Sequence, residues 1–272
     1  MHKIYRIAAA VPMLKVGNPR YNAEQIIELY QQARQHGAGI VVMPELSLTG
    51  YSCGDLFEQN ALLDEAKKAL QLLCEATRSY DSILIVGLPF PVNSRLFNTA
   101  AVIQNGRLCA MTGKTFLPEY REFYEKRQFR SIREYDGHPV FWEKEEIPFG
   151  GKLVFQAGED FFFGIEICED LWAVAPPSNL LAQNGAQLIF NLSAGPELVS
   201  KAAYRRELVK MQSAKLAAGY VLCGAGVHES TSDLLFSGHA LIAANGKLLA
   251  ENSRFERQGS ILYADLKPEW LT

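Results

Sequence analysis

Apolar residues in this chain gather in short runs that alternate with longer stretches of helical spacing. Residues 3–11 read as a buried strand. Asn22 is placed as the cap of a helix whose Ile26, Ile27, Tyr30 and Ala33 share one face, and Gly37 stops it. Residues 40–43 form a short strand that breaks at Pro44. Residues 61–80 form a second helix with Leu63, Ala66, Leu70, Leu73 and Thr77 on one side, and residues 83–88 return as a strand.

Antiparallel pairing enters next. Asn105-Gly106 separates residues 97–104 from 107–111, and Asn245-Gly246 separates 240–243 from 248–250; this dipeptide favours the two-residue turn in which both central residues take positive φ. Residues 152–156 and 161–168 make a further hairpin. Residues 180–184 and 197–218 read as helices, and 188–191, 221–225 and 260–266 as strands.

The order is β-α-β-α-β-β followed by β-β-α-β-α-β-β-β. Two such halves predict two mixed sheets packed face to face with helices outside, a four-layer α-β-β-α sandwich of the α/β class formed as one domain over residues 1–272. Residues 118–151 stand apart, rich in charge and in aromatics (Tyr120, Phe123, Tyr124, Phe129, Tyr135, Phe141, Trp142) but without clean periodicity. A loop of that length in a compact domain is usually functional, and the aromatics argue against disorder.

A chain of 272 residues, 48% of them hydrophobic, is long enough for one large core. Its net charge of -3 is spread over interleaved acids and bases, which disfavours nucleic acid and membrane as partners. No apolar run approaches the roughly 18 residues of a membrane helix, and the opening residues are too short for a signal sequence. Five cysteines at irregular spacing suggest neither a disulfide framework nor a metal site, and point to a reducing cytoplasm.

Three segments place a reactive side chain just past an apolar strand, where α/β folds keep their sites. They are Val41-Val42-Met43-Pro44-Glu45, Gly113-Lys114-Thr115-Phe116-Leu117-Pro118 and Gly164-Ile165-Glu166-Ile167-Cys168-Glu169-Asp170. Cys168 is the natural nucleophile, since a thiolate attacks an amide carbonyl with less activation than a serine hydroxyl needs. Glu45 is a candidate base. Taken singly, each has a plain reading as a packing cysteine or a capping glutamate. Gly113-Lys114-Thr115 is no phosphate loop, because Leu108 stands where that motif needs glycine. A Cys-His hydrolase would need His2, His36, His138, His228 or His239 beside Cys168.

Met-Pro-Glu-Leu, Gly-Lys-Thr-Phe-Leu-Pro and Glu-Ile-Cys-Glu-Asp, in this order, resemble the three signatures of the nitrilase superfamily of carbon-nitrogen hydrolases. The runs at residues 49–56, 120–129 and 229–234 further resemble the amino-terminal glutaminase domains of glutamine-dependent NAD synthetases. That resemblance implies a nitrilase-type sandwich and hydrolysis of L-glutamine to L-glutamate and ammonia. In that scheme Glu45 takes the thiol proton of Cys168, the thiolate attacks the δ-carbonyl, and Lys114 stabilises the oxyanion. Losing one such oxyanion contact typically costs about 2.7–4 kcal/mol.

By the same carry-over Glu125 orients Lys114 or the substrate amide, with a salt bridge to a nearby arginine as the other reading. Tyr120, Glu169 and Lys201 hold the α-amino and α-carboxylate ends of glutamine, and residues 191–195 line the pocket. Gly195 departs from the family, which often has serine there. Amide hydrolysis is expected to need no cofactor or metal; ATP and magnesium belong to a synthetase domain.

That synthetase domain is expected to be absent, because the chain stops at Thr272 and contains no Ser-Gly-Gly-x-Asp-Ser loop. The partners implied are L-glutamine, a synthetase domain or subunit, and further copies in a homo-oligomer. A free-standing amidase acting on another small amide is the alternative. An idle assembly module fits less well, since all three triad positions are filled.

Overall fold

The computed structural model describes residues 4–271. His2, Lys3 and Thr272 lie outside them, so the start of the first strand at Lys3 is not addressed. The first half runs β1 (Tyr5–Val11), α1 (Pro19–Gln35), β2 (Ile40–Val42), α2 (Asn60–Thr77), β3 (Ile83–Val92), β4 (Arg95–Gln104) and β5 (Arg107–Gly113). Then come β6 (Val140–Trp142), β7 (Glu145–Ile147), β8 (Phe149–Gly150), β9 (Val154–Gln156), β10 (Phe162–Ile167), α3 (Pro177–Gln183) and β11 (Leu188–Ser193). The chain continues through α4 (Lys201–Leu216), β12 (Gly219–Gly224), β13 (Ala240–Ala244), β14 (Lys247–Glu251) and β15 (Ser260–Leu266).

One sheet has the order β15-β1-β2-β3-β4-β5-β8, the other β14-β13-β12-β11-β10-β9. Both are mixed: β1, β2 and β3 run parallel while β3, β4 and β5 pair antiparallel, and β10, β11 and β12 run parallel beside antiparallel β13. β15 leaves the second half and pairs antiparallel with β1, from Tyr5 with Leu266 to Val11 with Ser260.

Three hydrophobic cores define the four layers. Along β1, Ile7, Ala9 and Val11 join Phe161, Phe163, Ile165 and Val221 in the core between the sheets. The alternate Ala8 and Ala10 face Ile26, Tyr30, Leu70 and Leu73 of α1 and α2. On the far side, Ile189, Tyr220 and Leu222 pack with Leu181 of α3 and Val209 of α4. A strand covered on both faces carries apolar residues at every position, which is why these strands read as continuous runs. Each fully buried Ile or Phe contributes about 1.5–3 kcal/mol.

Both predicted Asn-Gly turns form, with φ of 51° and 78° at Asn105 and Gly106 and 47° and 81° at Asn245 and Gly246. The cap of α1 is Asn18, not Asn22: the Asn18 side chain accepts from the N–H of Tyr21, and Pro19 opens the helix. Asn22 lies buried inside the helix and bonds the backbone of Lys15 and Leu48.

Strand β3 runs past Leu88 through Pro89 and Pro91 to a tight turn at Asn93-Ser94. The carbonyls of Ile85 and Gly87 face the β2 side, so Pro89 and Pro91, in the same parity, turn their missing N–H groups to a flank where β2 no longer pairs. Residues 118–151 hold more order than the sequence pattern suggests. They contain 3-10 turns at Glu125–Arg127 and Ile132–Glu134, the hairpin of β6 and β7, and β8, which adds to β5.

Candidate active site

Glu45, Lys114 and Cys168 arrive from the ends of three strands, two in one sheet and one in the other. Glu45 follows β2 after Pro44, in a tight bend packed directly on Gly87: a Cβ there would lie 2.3 Å from the Leu46 nitrogen and 2.6 Å from the Pro44 carbonyl. Lys114 is the first residue past β5. Cys168 opens a 3-10 turn after β10 with φ of 46°, a left-handed conformation unusual for a side chain with a Cβ, and found where surroundings over-determine the backbone.

The Lys114 ammonium is wholly buried and lies 2.7 Å from Oε1 of Glu45 and 2.7 Å from Oε1 of Glu125. Burial alone would lower its pKa, but the Glu125 and Glu45 carboxylates outweigh that and hold it charged. Asn98 donates to the same Glu45 oxygen at 2.7 Å, and Tyr51 donates to the same Glu125 oxygen at 2.8 Å. The second oxygens of Glu45 and Glu125 are buried and accept no hydrogen bond from the described residues. Each carboxylate thus has one oxygen held by neighbours and one without a partner among the described residues.

Burial pushes the Cys168 thiol up to about 12, with Glu45 adding to the rise and Lys114 and the hydrogen bond with Ser193 opposing it. Cys53 and Cys74 are pushed up to about 12 as well, so resting acidity does not single out Cys168. Its neighbours do. The Ser193 hydroxyl lies 3.5 Å from Sγ, and the Asn191 side chain donates to the Cys168 carbonyl at 3.4 Å. The thiol's hydrogen-bond partner is therefore a serine; His239 instead lies buried between Arg205 and Glu251, 2.8 Å from each.

A cavity of about 350 Å³ opens over Cys168 and Glu169, walled by Tyr120, Gly195, Lys201 and Tyr204. Tyr120 donates to Glu169 at 3.1 Å, and burial followed by Glu169 pushes its phenol up to about 12. Burial lowers the pKa of Lys201, whose ammonium stands 5.4 Å over the Trp172 ring. All four residues expected to hold the substrate therefore line one opening. At Gly195 a Cβ would meet only Ser193 Oγ, at 3.6 Å, so a serine has room there.

Burial raises Glu125 to about 7, with Lys114 lowering it and Glu45 raising it. The salt bridge of Glu125 is with Lys114 and not with an arginine. A second cavity of about 270 Å³, bounded by Tyr51, Phe57, Glu125 and Ser230, reaches this glutamate and shares Phe123 as a wall with the first.

Sequence reasoning left several contributors unassigned. Glu229 accepts from the N–H of Tyr51 at 2.7 Å and from the N–H and hydroxyl of Ser52 at 3.0 and 2.5 Å, joining two runs that the resemblance had marked separately. Asn98 sits mid-strand with no local signal. Asp170 accepts from the backbone of both Phe116 and Ile167. Burial and the Glu166 carboxyl push Asp170 up, while those N–H donors pull the other way; every hydrogen bond to its two oxygens comes from a backbone N–H, an arrangement that suits the ionised carboxylate.

The description carbon-nitrogen hydrolase fits residues 6–271 as a family model. The glutamine-dependent NAD(+) synthetase of Mycobacterium tuberculosis is 37% identical over 274 residues, taking in 99% of this chain and 40% of that protein. This chain thus spans well under half the length of that relative. The structure of a glutamine-dependent NAD(+) synthetase from Cytophaga hutchinsonii superposes with a TM-score of 0.86 at 27% identity, over 97% of this chain and 43% of that one. An amidase from Nesterenkonia sp. shares the fold, with a TM-score of 0.76 at 21% identity over 98% of this chain and 92% of its own. With the model spanning nearly every residue and the buried Glu-Lys-Cys cluster at its strand ends, this chain belongs to the carbon-nitrogen hydrolase family.

Proposed function

We propose that this chain hydrolyses L-glutamine to L-glutamate and ammonia, and that the ammonia serves a synthetase domain or subunit making NAD. The observation that carries the chemistry is the Lys114 ammonium gripped by two buried glutamates beside a cysteine at a strained strand end. Glu45, through its unpartnered Oε2, takes the Cys168 proton as Sγ attacks the amide carbon. That base is needed because the thiol is protonated at neutral pH.

The carbonyl oxygen gains negative charge toward Lys114, collapse expels nitrogen as ammonia with the proton returned by Glu45, and a thioester remains. Water, deprotonated by Glu45, then attacks the thioester and releases the acid and the thiol. Glu125 keeps Lys114 charged and aimed.

Glutamine is supported by the opposite charges of Glu169 and Lys201 on one cavity, a pair suited to an α-amino group and an α-carboxylate. The similarity of 99% of this chain to part of a glutamine-dependent NAD(+) synthetase supports the same substrate. The free cysteines support a reducing, cytoplasmic setting. The test is hydrolysis rate against a panel of glutamine, asparagine and simple aliphatic amides. A larger kcat/KM for an uncharged amide than for glutamine would replace this reading with a free-standing amidase.

A further inference from the structure

We propose that Asp170 is a positioning residue that staples the Lys114 strand end to the Cys168 strand end across the two sheets; this rests on the amide-hydrolase reading above. Lys114 leaves β5 in one sheet and Cys168 leaves β10 in the other. No ladder of backbone hydrogen bonds joins those strands, so side-chain packing alone would set their relative height.

Asp170 supplies the missing backbone tie. Its Oδ1 accepts from the N–H of Phe116 at 2.7 Å and of Thr115 at 3.1 Å, directly after Lys114. Its Oδ2 accepts from the N–H of Ile167 at 2.9 Å, directly before Cys168, and from Thr115 at 3.3 Å. One carboxylate, 1% exposed, therefore fixes the residues flanking both reacting groups. An amide could not replace it, because its NH2 would face an N–H donor on one side. Asp170 touches neither the cavity nor the thiol and acts only through the backbone.

Lys114 must stand where the oxyanion grows, and a misplacement near 1 Å is enough to cost a large factor in rate. Asp170→Asn in the full chain is predicted to lower kcat for the preferred amide on the order of 100-fold. KM is predicted to move by less than about threefold, since Tyr120, Glu169, Gly195 and Lys201 are unchanged. A role in packing alone would lower the melting temperature and leave kcat of the folded fraction intact, and that result overturns the proposal.

Should Asp170→Asn not fold, replacing Phe116 by its α-hydroxy analogue deletes one N–H donor and leaves every side chain in place. A fall in kcat at constant KM is expected there, and an unchanged kcat overturns the staple. The failures are separable. A wild-type chain inactive on every amide sinks the hydrolase reading, whereas an active wild type with an equally active Asp170→Asn sinks only this inference.

Discussion

The Lys114 ammonium and the Glu45 carboxylate meet at 2.7 Å with both side chains fully buried, so removing the lysine leaves Glu45, and Glu125 beside it, without a countercharge in the core. Lys114→Met is predicted to destabilise the fold by about 3–5 kcal/mol, the usual cost of breaking a buried pair. It should also lower kcat far more than it raises KM. Lys114→Met combined with Glu125→Gln removes one stranded carboxylate and should recover part of the stability but none of the turnover. Denaturant melts beside steady-state kinetics check both halves, and a double variant as active as wild type would refute the oxyanion role.

Cys168→Ala is predicted to abolish hydrolysis while melting close to wild type. A glutamine-mimicking electrophile should add one adduct, on Cys168, even though Cys109 is the exposed thiol. Iodoacetamide, which needs no pocket, should label Cys109 first. Peptide mapping separates these outcomes; an adduct of the glutamine mimic on Cys109 alone would contradict the proposed nucleophile.

Glu125 links the site to pH. Burial raises it to about 7, above the ordinary carboxylate range, so folding takes up a proton between that range and about 7. The stability this confers is full at acid pH below the unfolded value and is lost as pH rises toward 7. Turnover runs the opposite way, since ionised Glu125 holds Lys114 charged. Wild-type kcat should therefore rise through about pH 7, and Glu125→Gln should lose both that limb and the matching slope of unfolding free energy. Equal slopes in the two proteins would be inconsistent with this assignment.

Gly195→Ser would add a hydroxyl at a position where only Ser193 Oγ approaches a built Cβ. One added hydrogen bond, about 0.5–1.5 kcal/mol, should lower KM for glutamine by about 2- to 10-fold with kcat nearly constant. Initial-rate kinetics on both proteins decide it. A higher KM would mean that the glycine admits a bulkier substrate group.

Much of the fold was legible because alternating or continuous apolar runs mark strands, and the Asn-Gly turns announce two hairpins. Glu45, Lys114 and Cys168 were legible as candidates because each follows a strand inside a short motif. Asn98, Tyr51 and Glu229 were not, since their roles arise from packing between distant segments and not from local spacing. The order within residues 118–151 is of the same kind: β8 is a two-residue strand whose partner is β5, distant in the chain. Pro19 marks the start of α1 and Asn18 as its cap, whereas Asn22 lies on the buried face of the helix.

The antiparallel clasp of β15 on β1 places a strand from the second half inside the sheet of the first. A chain nicked at Gly137, which has open space around it, would divide into a piece holding Glu45, Lys114 and Glu125 and a piece holding Cys168. Neither piece has a complete site, and each leaves an unpaired sheet edge that the other fits. Any turnover would then appear only when the two pieces reunite.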